Sequence, residues 1–469
     1  MLFNSLEFLI FLPIVLLLHT MVAPTLRWVI LLVCSYVFYM SWQWEYGGLM
    51  LATTSLNYTA GIFLERFQSS RLRKLICFGT VGMTLAILFV FKYLFFVCES
   101  VAYVNANLIS DQWLQQLQTS LILPVGISFY TFQTLSYTID VYRRQYQAVS
   151  HFGKFALYIS FFPQLVAGPI ERPQNLFPQL LVPTQSNPKL FVSGLRMILW
   201  GMIKKVVIAD HLAMYVNAVY NNPESASGLT IPIATMMFSV QIYCDFSGYS
   251  DIAIGAARLL GVQLMENFRT PYFACSVQEF WRRWHISLST WFRDYLYIPL
   301  GGNRCSALRQ KTNLLLTFVV SGLWHGAAWT FVVWGAIHGT ALVVEQFFRK
   351  RKIGLGRVTG WLITMLFINV TWMFFRANQL QDVGLLTKRT FDGSFFQPFV
   401  SSVSKFDHLL CFLLPVCLFA AEWTAGREGY QRLFQRSVCF RFSLYLIGVC
   451  LFLLFGVFSR PSEFIYFQF

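Results

Sequence analysis

Apolar stretches close to the length that crosses a bilayer recur along the whole 469-residue chain. A transmembrane helix needs about 20 mainly apolar residues, so we predict about eleven full spans, with the remaining stretches partial. The fold class predicted is an all-α, polytopic integral membrane protein. The stretches lie near residues 6–22, 28–46, 47–64, 75–98, 121–141, 191–215, 229–244, 312–324, 328–348, 360–375, 408–424 and 442–458.

The composition agrees with a membrane protein, because 56% of the residues are hydrophobic and only 12% are charged. Soluble domains carry about 25% charged residues. A net charge of +15 would suggest nucleic acid as the partner of a soluble protein. In a membrane chain the same charge is expected in cytoplasmic loops. With no basic-aromatic module visible, we predict contact with membrane lipid and no nucleic-acid partner.

Three basic clusters predict the topology. By the positive-inside rule all three are cytoplasmic, and three spans before the first cluster put residue 1 on the opposite side. No repeat or soluble domain stands out, so we predict a single domain, 1–469. The ten cysteines lack metal-site spacing, and no metal is predicted. The clusters are Arg66, Arg71, Arg73 and Lys74; Arg349, Lys350, Arg351, Lys352 and Arg357; and Arg427, Arg432, Arg436 and Arg441.

Two segments do not read as straight spans. Residues 155–173 are apolar but contain Pro163, Pro169 and Pro173. Broken backbone at membrane depth is tolerated only inside protein or beside a cavity, so we predict a re-entrant or interfacial segment. Residues 266–304 mix aromatic residues with arginines, which is typical of helices at the cytoplasmic interface.

His325, in the stretch "SGLWHGAAWTFVVWGAIHG" that covers 321–339, lies near the turn of a predicted helix hairpin. Fourteen residues separate it from Lys311, which places it about 21 Å into a core of about 30 Å. A polar residue at that depth is a functional-site hypothesis by default, and an imidazole suits proton transfer. The alternative is a core histidine that is satisfied by a neighbouring carbonyl.

Other polar residues in apolar surroundings allow two interpretations each. His285 is either functional or an interfacial residue beside Trp284, whereas His338 is expected to make a hydrogen bond between helices. Arg282 and Arg283 either bind a phosphate-bearing ligand or reach the lipid headgroups. Asp245 and Asp251 are expected to neutralise arginines of 282–293 or to cap a helix. Arg376 is expected to anchor the outer end of a span.

Long ordered motifs resemble the bacterial alginate O-acetyltransferase branch of the membrane-bound O-acyltransferases. They are "LPVGISFYTFQTLSYTIDVYR", "FFPQLVAGPIERP", "YCDFSGYSDIAIGAARLLG", "NFRTPYFACSVQEFWRRWHISLSTWFRDYLYIPLGGNR", "SGLWHGAAWTFVVWGAIHG" and "FFRA". The resemblance runs from residue 1 to about residue 378. Residues 379–469 are less diagnostic.

The resemblance implies about eleven spans and partial helices around a central tunnel. It also implies transfer of an acetyl group from a cytoplasmic thioester donor, with acetyl-CoA expected and no bound cofactor. The acceptor would be an exported polysaccharide such as alginate or cellulose, modified together with a periplasmic acetyltransferase partner and the secretion complex. The location implied is the bacterial inner membrane.

The resemblance also assigns roles to residues. His325 matches the catalytic histidine of the family's "WHG" motif, and His285 matches a second histidine, at which distant relatives carry Asn. We therefore predict His325 as general base and His285 as a polar helper. The donor side is assigned to Trp324, Arg282 and Arg283, and the supporting residues are Asp245, Asp251 and Asn267.

Two alternatives stay open at this point. The first is transfer of another acyl group, such as D-alanine from a carrier-protein thioester. The second is a transporter or assembly scaffold without chemistry. Transporters often contain repeated halves, and no internal repeat is visible in this chain.

Overall fold

The computed structural model describes residues 1–105, 108–166, 168–182, 187–226, 228–351, 354, 356–391, 403–425, 437–458 and 464–467. All regular elements in these ranges are helical. The α-helices are α1 Leu6–Met21, α2 Arg27–Met40, α3 Glu45–Arg66, α4 Ser70–Leu88, α5 Leu94–Val104, α6 Asp111–Ser120, α7 Ile127–Tyr142, α8 Phe152–Ser160, α9 Phe162–Leu165, α10 Pro173–Leu181, α11 Pro188–Met202, α12 Asp210–Tyr220, α13 Thr230–Leu259, α14 Val277–Arg283, α15 Ile286–Phe292, α16 Ala307–His325, α17 Trp329–Lys350, α18 Arg357–Arg376, α19 Leu380–Thr390, α20 Lys405–Ala425 and α21 Val438–Phe455.

Three of the connections are wide π-helical turns with i→i+5 hydrogen bonding. They cover Phe89–Tyr93, Ile203–Ala209 and Arg293–Tyr297. Short 3₁₀ turns cover Pro24–Leu26, Pro271–Phe273 and Ile465–Phe467.

Five helical segments of the described chain are long and apolar enough to cross a membrane. Two shorter apolar helices, Leu6–Met21 and Pro24–Met40, accompany them. The chain is thus a multi-pass membrane protein, while the figure of about eleven spans stays a prediction. The five segments are Ser70–Val104, Trp329–Lys350, Arg357–Arg376, Lys405–Thr424 and Val438–Phe455.

The backbone separates into two compact units. The first comprises Met1–Ile198 and Ile252–Met265, and the second comprises Leu199–Asp251 and Glu266–Phe469. Because the long helix α13 contributes to both, the sequence boundary between the units falls inside regular structure. The single domain expected over residues 1–469 stays a prediction.

In the first unit a buried arginine joins the ends of helices. Arg73 belongs to the basic cluster expected in a cytoplasmic loop, yet it is only 7% exposed. Its guanidinium donates to the carbonyls of Leu64, Val141 and Tyr142, which lie at the ends of α3 and α7. Arg73 therefore supplies hydrogen bonds to carbonyls in the last turns of two helices, where intrahelical donors run out. Of the third basic cluster, residues 427–436 lie outside the described residues.

The predicted break in 155–173 is confirmed. Helix α8 ends at Ser160, the short α9 follows, and helical structure resumes only at Pro173. The segment carries a buried carboxylate, since Glu171 is fully buried and accepts a hydrogen bond from the Met265 N–H at 2.6 Å. Its re-entrant position in a membrane stays a prediction.

In the second unit α16 and α17 form a hairpin at very close range. A Cβ atom at Gly322 would overlap the carbonyl oxygen of Phe331, and one at Gly335 would overlap that of Phe318. Small residues at such crossings allow helix backbones to approach closely, which is how membrane helices gain packing energy. The glycines therefore set the separation of the two helices that carry the predicted catalytic motif.

We expect Gly335→Ala to lower the free energy of unfolding by about 1–3 kcal/mol, because the added methyl group overpacks the crossing. Gly384→Ala is the matched control, since Gly384 is also helical but has no atom within 4 Å of an added Cβ. Alanine favours helix by about 1 kcal/mol over glycine, so the control should be neutral or stabilising. Thermal unfolding of the detergent-solubilised protein measures both. Equal melting temperatures would contradict the close crossing.

Candidate functional site

His325 is the last residue of α16 and occupies the tip of the hairpin, as the sequence predicts. Gly326 has extended backbone angles and ends the helix, and α17 begins three residues later at Trp329. The imidazole is 2% exposed and is surrounded by aromatic rings. Its ring centroid lies 5.1 Å from that of Trp324, 5.2 Å from Trp334 and 5.5 Å from Phe375.

His285 connects α14 to α15 and has an unusual backbone conformation. Its φ is +42°, in the left-handed region, and the residue is fully buried. A non-glycine residue in such a conformation costs on the order of 1–3 kcal/mol, and such residues cluster at functional sites. The turn aims the imidazole inward, and the ring of Phe246 meets it edge-on at 4.6 Å.

The carboxamide of Asn267 holds the turn at His285 in place. Its Oδ1 accepts from the backbone N–H of Ser287 at 3.2 Å and from the Ser287 hydroxyl at 2.9 Å. The same oxygen lies 3.1 Å from Nδ1 of His285. The backbone carbonyl of Asn267 also accepts from the N–H of Ile286. Asn267, predicted as a supporting residue, thus fixes the His285 ring and the start of α15.

The two histidines form a pair inside an aromatic enclosure. Their ring centroids are 6.3 Å apart, and the Trp324 ring lies 6.0 Å from His285. Burial lowers the pKa of His285 to about 3, so this imidazole is neutral at physiological pH and is a weak proton acceptor. The geometry suits one histidine that transfers a proton and a second that orients polar groups. An enclosure of this kind also protects a reactive acyl group from water.

Arg282 and Arg283 lie in the last turn of α14, two to three residues before His285. Arg282 is exposed, while Arg283 is partly buried and pairs with Glu279. The Arg283 guanidinium also donates to the carbonyl of Thr270 at 3.2 Å. The two arginines are therefore not equivalent, since Arg282 presents its charge at the surface and Arg283 is held by its own helix.

Asp245 and Asp251 have lysine partners instead of the arginines expected at 282–293. Asp245 lies 2.8 Å from Nζ of Lys205, and Asp251 lies 2.7 Å from Nζ of Lys204. Lys205 also lies 2.9 Å from Asp210. The physical reason is local, since the π-helical turn Ile203–Ala209 directs two consecutive lysines into the buried face that carries the aspartates.

Sequence reasoning missed the contribution of residues 464–467, which we call the terminal segment. The Tyr466 ring centroid lies 5.6 Å from that of His325 and 6.3 Å from that of His285. The Ile465 N–H donates to Asp245 at 2.7 Å. No sequence signal in "EFIYFQF" indicated this contact, although the buried lysines of "MIKKVVIAD" were visible as charges in an apolar run.

His338 makes the hydrogen bond between helices that the sequence predicts. Its Nδ1 accepts from the Trp281 indole N–H at 3.2 Å, and its Nε2 lies 3.1 Å from the Thr371 hydroxyl on α18. Arg376 ends α18 and donates to the side-chain oxygens of Asn217 and Asn221. Both residues therefore join helices of the second unit.

The chain thus combines a buried histidine at the tip of a helix hairpin with several helices able to cross a membrane. The family model described as "MBOAT, membrane-bound O-acyltransferase family" matches residues 75–380. The chain belongs to this family and is an acyltransferase.

Three kinds of relative are similar to the chain. "Probable alginate O-acetylase" of Azotobacter vinelandii is 41% identical over 389 residues, which cover 81% of this chain and 76% of the relative. "Peptidoglycan O-acetyltransferase" of Helicobacter pylori is 36% identical over 383 residues, which cover 75% of this chain and 71% of the relative. "Teichoic acid D-alanyltransferase" of Streptococcus thermophilus is 30% identical over 251 residues, which cover 50% of this chain and 59% of the relative.

We expect Asn267→Ala to destabilise the turn at His285, because each buried donor left unsatisfied costs about 1–3 kcal/mol. The control is Asn303→Ala, since Asn303 accepts hydrogen bonds from Tyr297 and Gln310 but is exposed. Substitution of an exposed residue should change the free energy of unfolding by no more than about 0.5 kcal/mol. Thermal unfolding in detergent measures both variants. A melting temperature of Asn267→Ala equal to that of the control would contradict the assigned role.

Proposed function

We propose that the protein transfers acetyl groups from a cytoplasmic thioester donor for O-acetylation of an exported polysaccharide. The observation that carries this proposal is the buried His325–His285 pair in a member of the membrane-bound O-acyltransferase family. Relatives named for alginate and for peptidoglycan O-acetylation align with three quarters or more of the chain, which supports a polysaccharide acceptor.

His325 is proposed as the general base. Its neutral imidazole takes the proton of an acceptor hydroxyl, whose oxygen then attacks the carbonyl carbon of the thioester. The C–S bond breaks as the new C–O bond forms, and the thiolate that leaves takes up the proton. His285 is proposed to orient the reacting groups, because Asn267 holds its imidazole and the following turn in a fixed position. Trp324 is proposed to line the donor side.

The donor is proposed to be acetyl-CoA, used as a substrate, with no resident cofactor. Arg282 supports this proposal because its exposed guanidinium, close in sequence to His285, suits the phosphates of such a donor. Arg283 shares this role only in part because Glu279 already pairs with it. We further propose an inner-membrane location and a periplasmic acetyltransferase partner that completes the transfer to the polymer.

Transfer of D-alanine is the second candidate. The relative named for teichoic acid D-alanylation supports it, but that match covers only half of the chain. The longer and closer matches to O-acetylation proteins therefore favour acetyl as the transferred group.

His325→Ala is expected to lower the alkali-labile acetate on exported polymer by at least about 100-fold, the low end of the contribution of a general base. Cells that express parent and variant at matched membrane levels are compared. The control is His151→Ala, since His151 is an exposed helix N-cap in the first unit. Acetate at the parent level in His325→Ala would overturn the assigned base.

Arg282→Ala is expected to raise the apparent KM for acetyl-CoA about tenfold with little change in kcat, because a phosphate contact contributes to ground-state binding. The measurement is acetyl transfer in membrane vesicles over a range of donor concentrations. Arg309→Ala provides the control, since Arg309 is an exposed arginine at the start of α16. An unchanged KM in Arg282→Ala would exclude the donor-side role.

A further inference from the structure

The carboxylate of Asp245 binds two groups at once. Oδ1 lies 2.8 Å from the Lys205 ammonium, and Oδ2 accepts a hydrogen bond from the Ile465 N–H at 2.7 Å. The Asp245 residue is 2% exposed, so both interactions are shielded from water. Hydrogen bonds to an ionised group are about twice as strong as those between neutral groups. This carboxylate is therefore a strong attachment point for the backbone of the terminal segment.

The charges around Lys205 explain why Asp245 favours a backbone N–H. Lys205 also pairs with Asp210 at 2.9 Å, and neither side chain is exposed. Lys205 is shared between two carboxylates, so the shared ammonium balances the negative charge of Asp245 only in part. A hydrogen-bond donor from Ile465 stabilises that charge, as buried ion pairs require additional hydrogen bonds.

The terminal segment has aromatic contacts on both sides of this hydrogen bond. The Phe464 ring stacks on Tyr249 at 4.2 Å, and the Tyr466 ring lies 4.4 Å from Phe246. Tyr249 and Phe246 are on α13, next to Asp245. In the segment, the residue that donates to Asp245 therefore lies between the two residues that make the ring contacts, which fixes the register of the segment against the helix.

The same register brings the segment to the candidate site. Tyr466, one residue after Ile465, lies against the rings of both His325 and His285. The Val457 N–H donates to the Val206 carbonyl, within the π-helical turn that also carries Lys205. Movement of the segment would thus remove one wall of the enclosure around the histidine pair.

We propose that Asp245 is a positioning residue that holds the terminal segment against the histidine pair and so fixes the His325 ring for acyl transfer. Asp245 acts through the segment and is not itself a catalytic residue. The catalytic part of this inference rests on the proposed function. The attachment of the segment is independent of that function and is tested by itself.

The attachment is tested by photo-crosslinking in the full-length protein in membranes. The photoreactive residue p-benzoylphenylalanine replaces Phe464, and mass spectrometry measures its crosslink to the α13 peptide that contains Tyr249. We expect Asp245→Ala to lower the yield about tenfold, as loss of a hydrogen bond to a charged group predicts. Asp245→Asn should keep most of the yield, because the amide oxygen still accepts from Ile465. Asp251→Ala removes a different lysine pair of α13 and should crosslink like the parent.

The catalytic consequence is tested by polymer acetylation in chains with the natural Phe464. Asp245→Ala should lower acetate about tenfold at matched membrane levels, and Asp245→Asn should restore most of it. An Asp245→Ala crosslink equal to the parent's would overturn the attachment. A lost crosslink with normal acetylation would overturn the positioning role. If the parent gives no more acetate than His325→Ala, the proposed function fails, while the crosslink result still decides the attachment.

Discussion

The arrangement of the candidate site depends on the hydrogen bonds to the Asn267 carboxamide oxygen. A left-handed residue such as His285 is costly, and the turn persists only if the surrounding structure compensates. Asn267 compensates by engaging the backbone N–H and hydroxyl of Ser287 and the imidazole of His285. Asn267 itself is oriented by Ser250 of α13, whose hydroxyl accepts from its Nδ2 at 3.3 Å. The ring of His285 therefore has a defined direction before any substrate arrives.

The parts of the site that the sequence predicted share one property, which is that their signal is local. His325 was found because an imidazole stood between glycines at the end of an apolar run, and the hairpin has that form. The break in 155–173 was found because prolines interrupt a helix. The packing role of His338 followed in the same way from its position on an apolar helix. Such features can be predicted because they depend on neighbouring residues in the sequence and not on which distant residues they meet in the fold.

The parts that the sequence did not predict are long-range pairings. Asp245 and Lys205 are 40 positions apart, and Ile465 lies a further 220 positions away from Asp245. In a low-dielectric interior any carboxylate must find a cation, but the sequence does not say which one. The arginines at 282–293 were the cations expected, although Arg258 and Arg269 lie nearer to both aspartates in the sequence. The lysines at 204 and 205 pair with the aspartates because the π-helical turn directs them to the same face.

The π-helical turn Ile203–Ala209 has a consequence for how the chain tolerates changes in length. Each residue of an α-helix advances it by about 100°, so a single-residue deletion normally rotates every side chain that precedes or follows it. A π-helical turn holds surplus residues relative to an α-helix, so a deletion there can be absorbed as the turn tightens. The helix would survive, but consecutive lysines would no longer share the buried face. Helical continuity and charge pairing in this region are therefore separable, and a one-residue deletion at 203–209 alters the second without breaking the first.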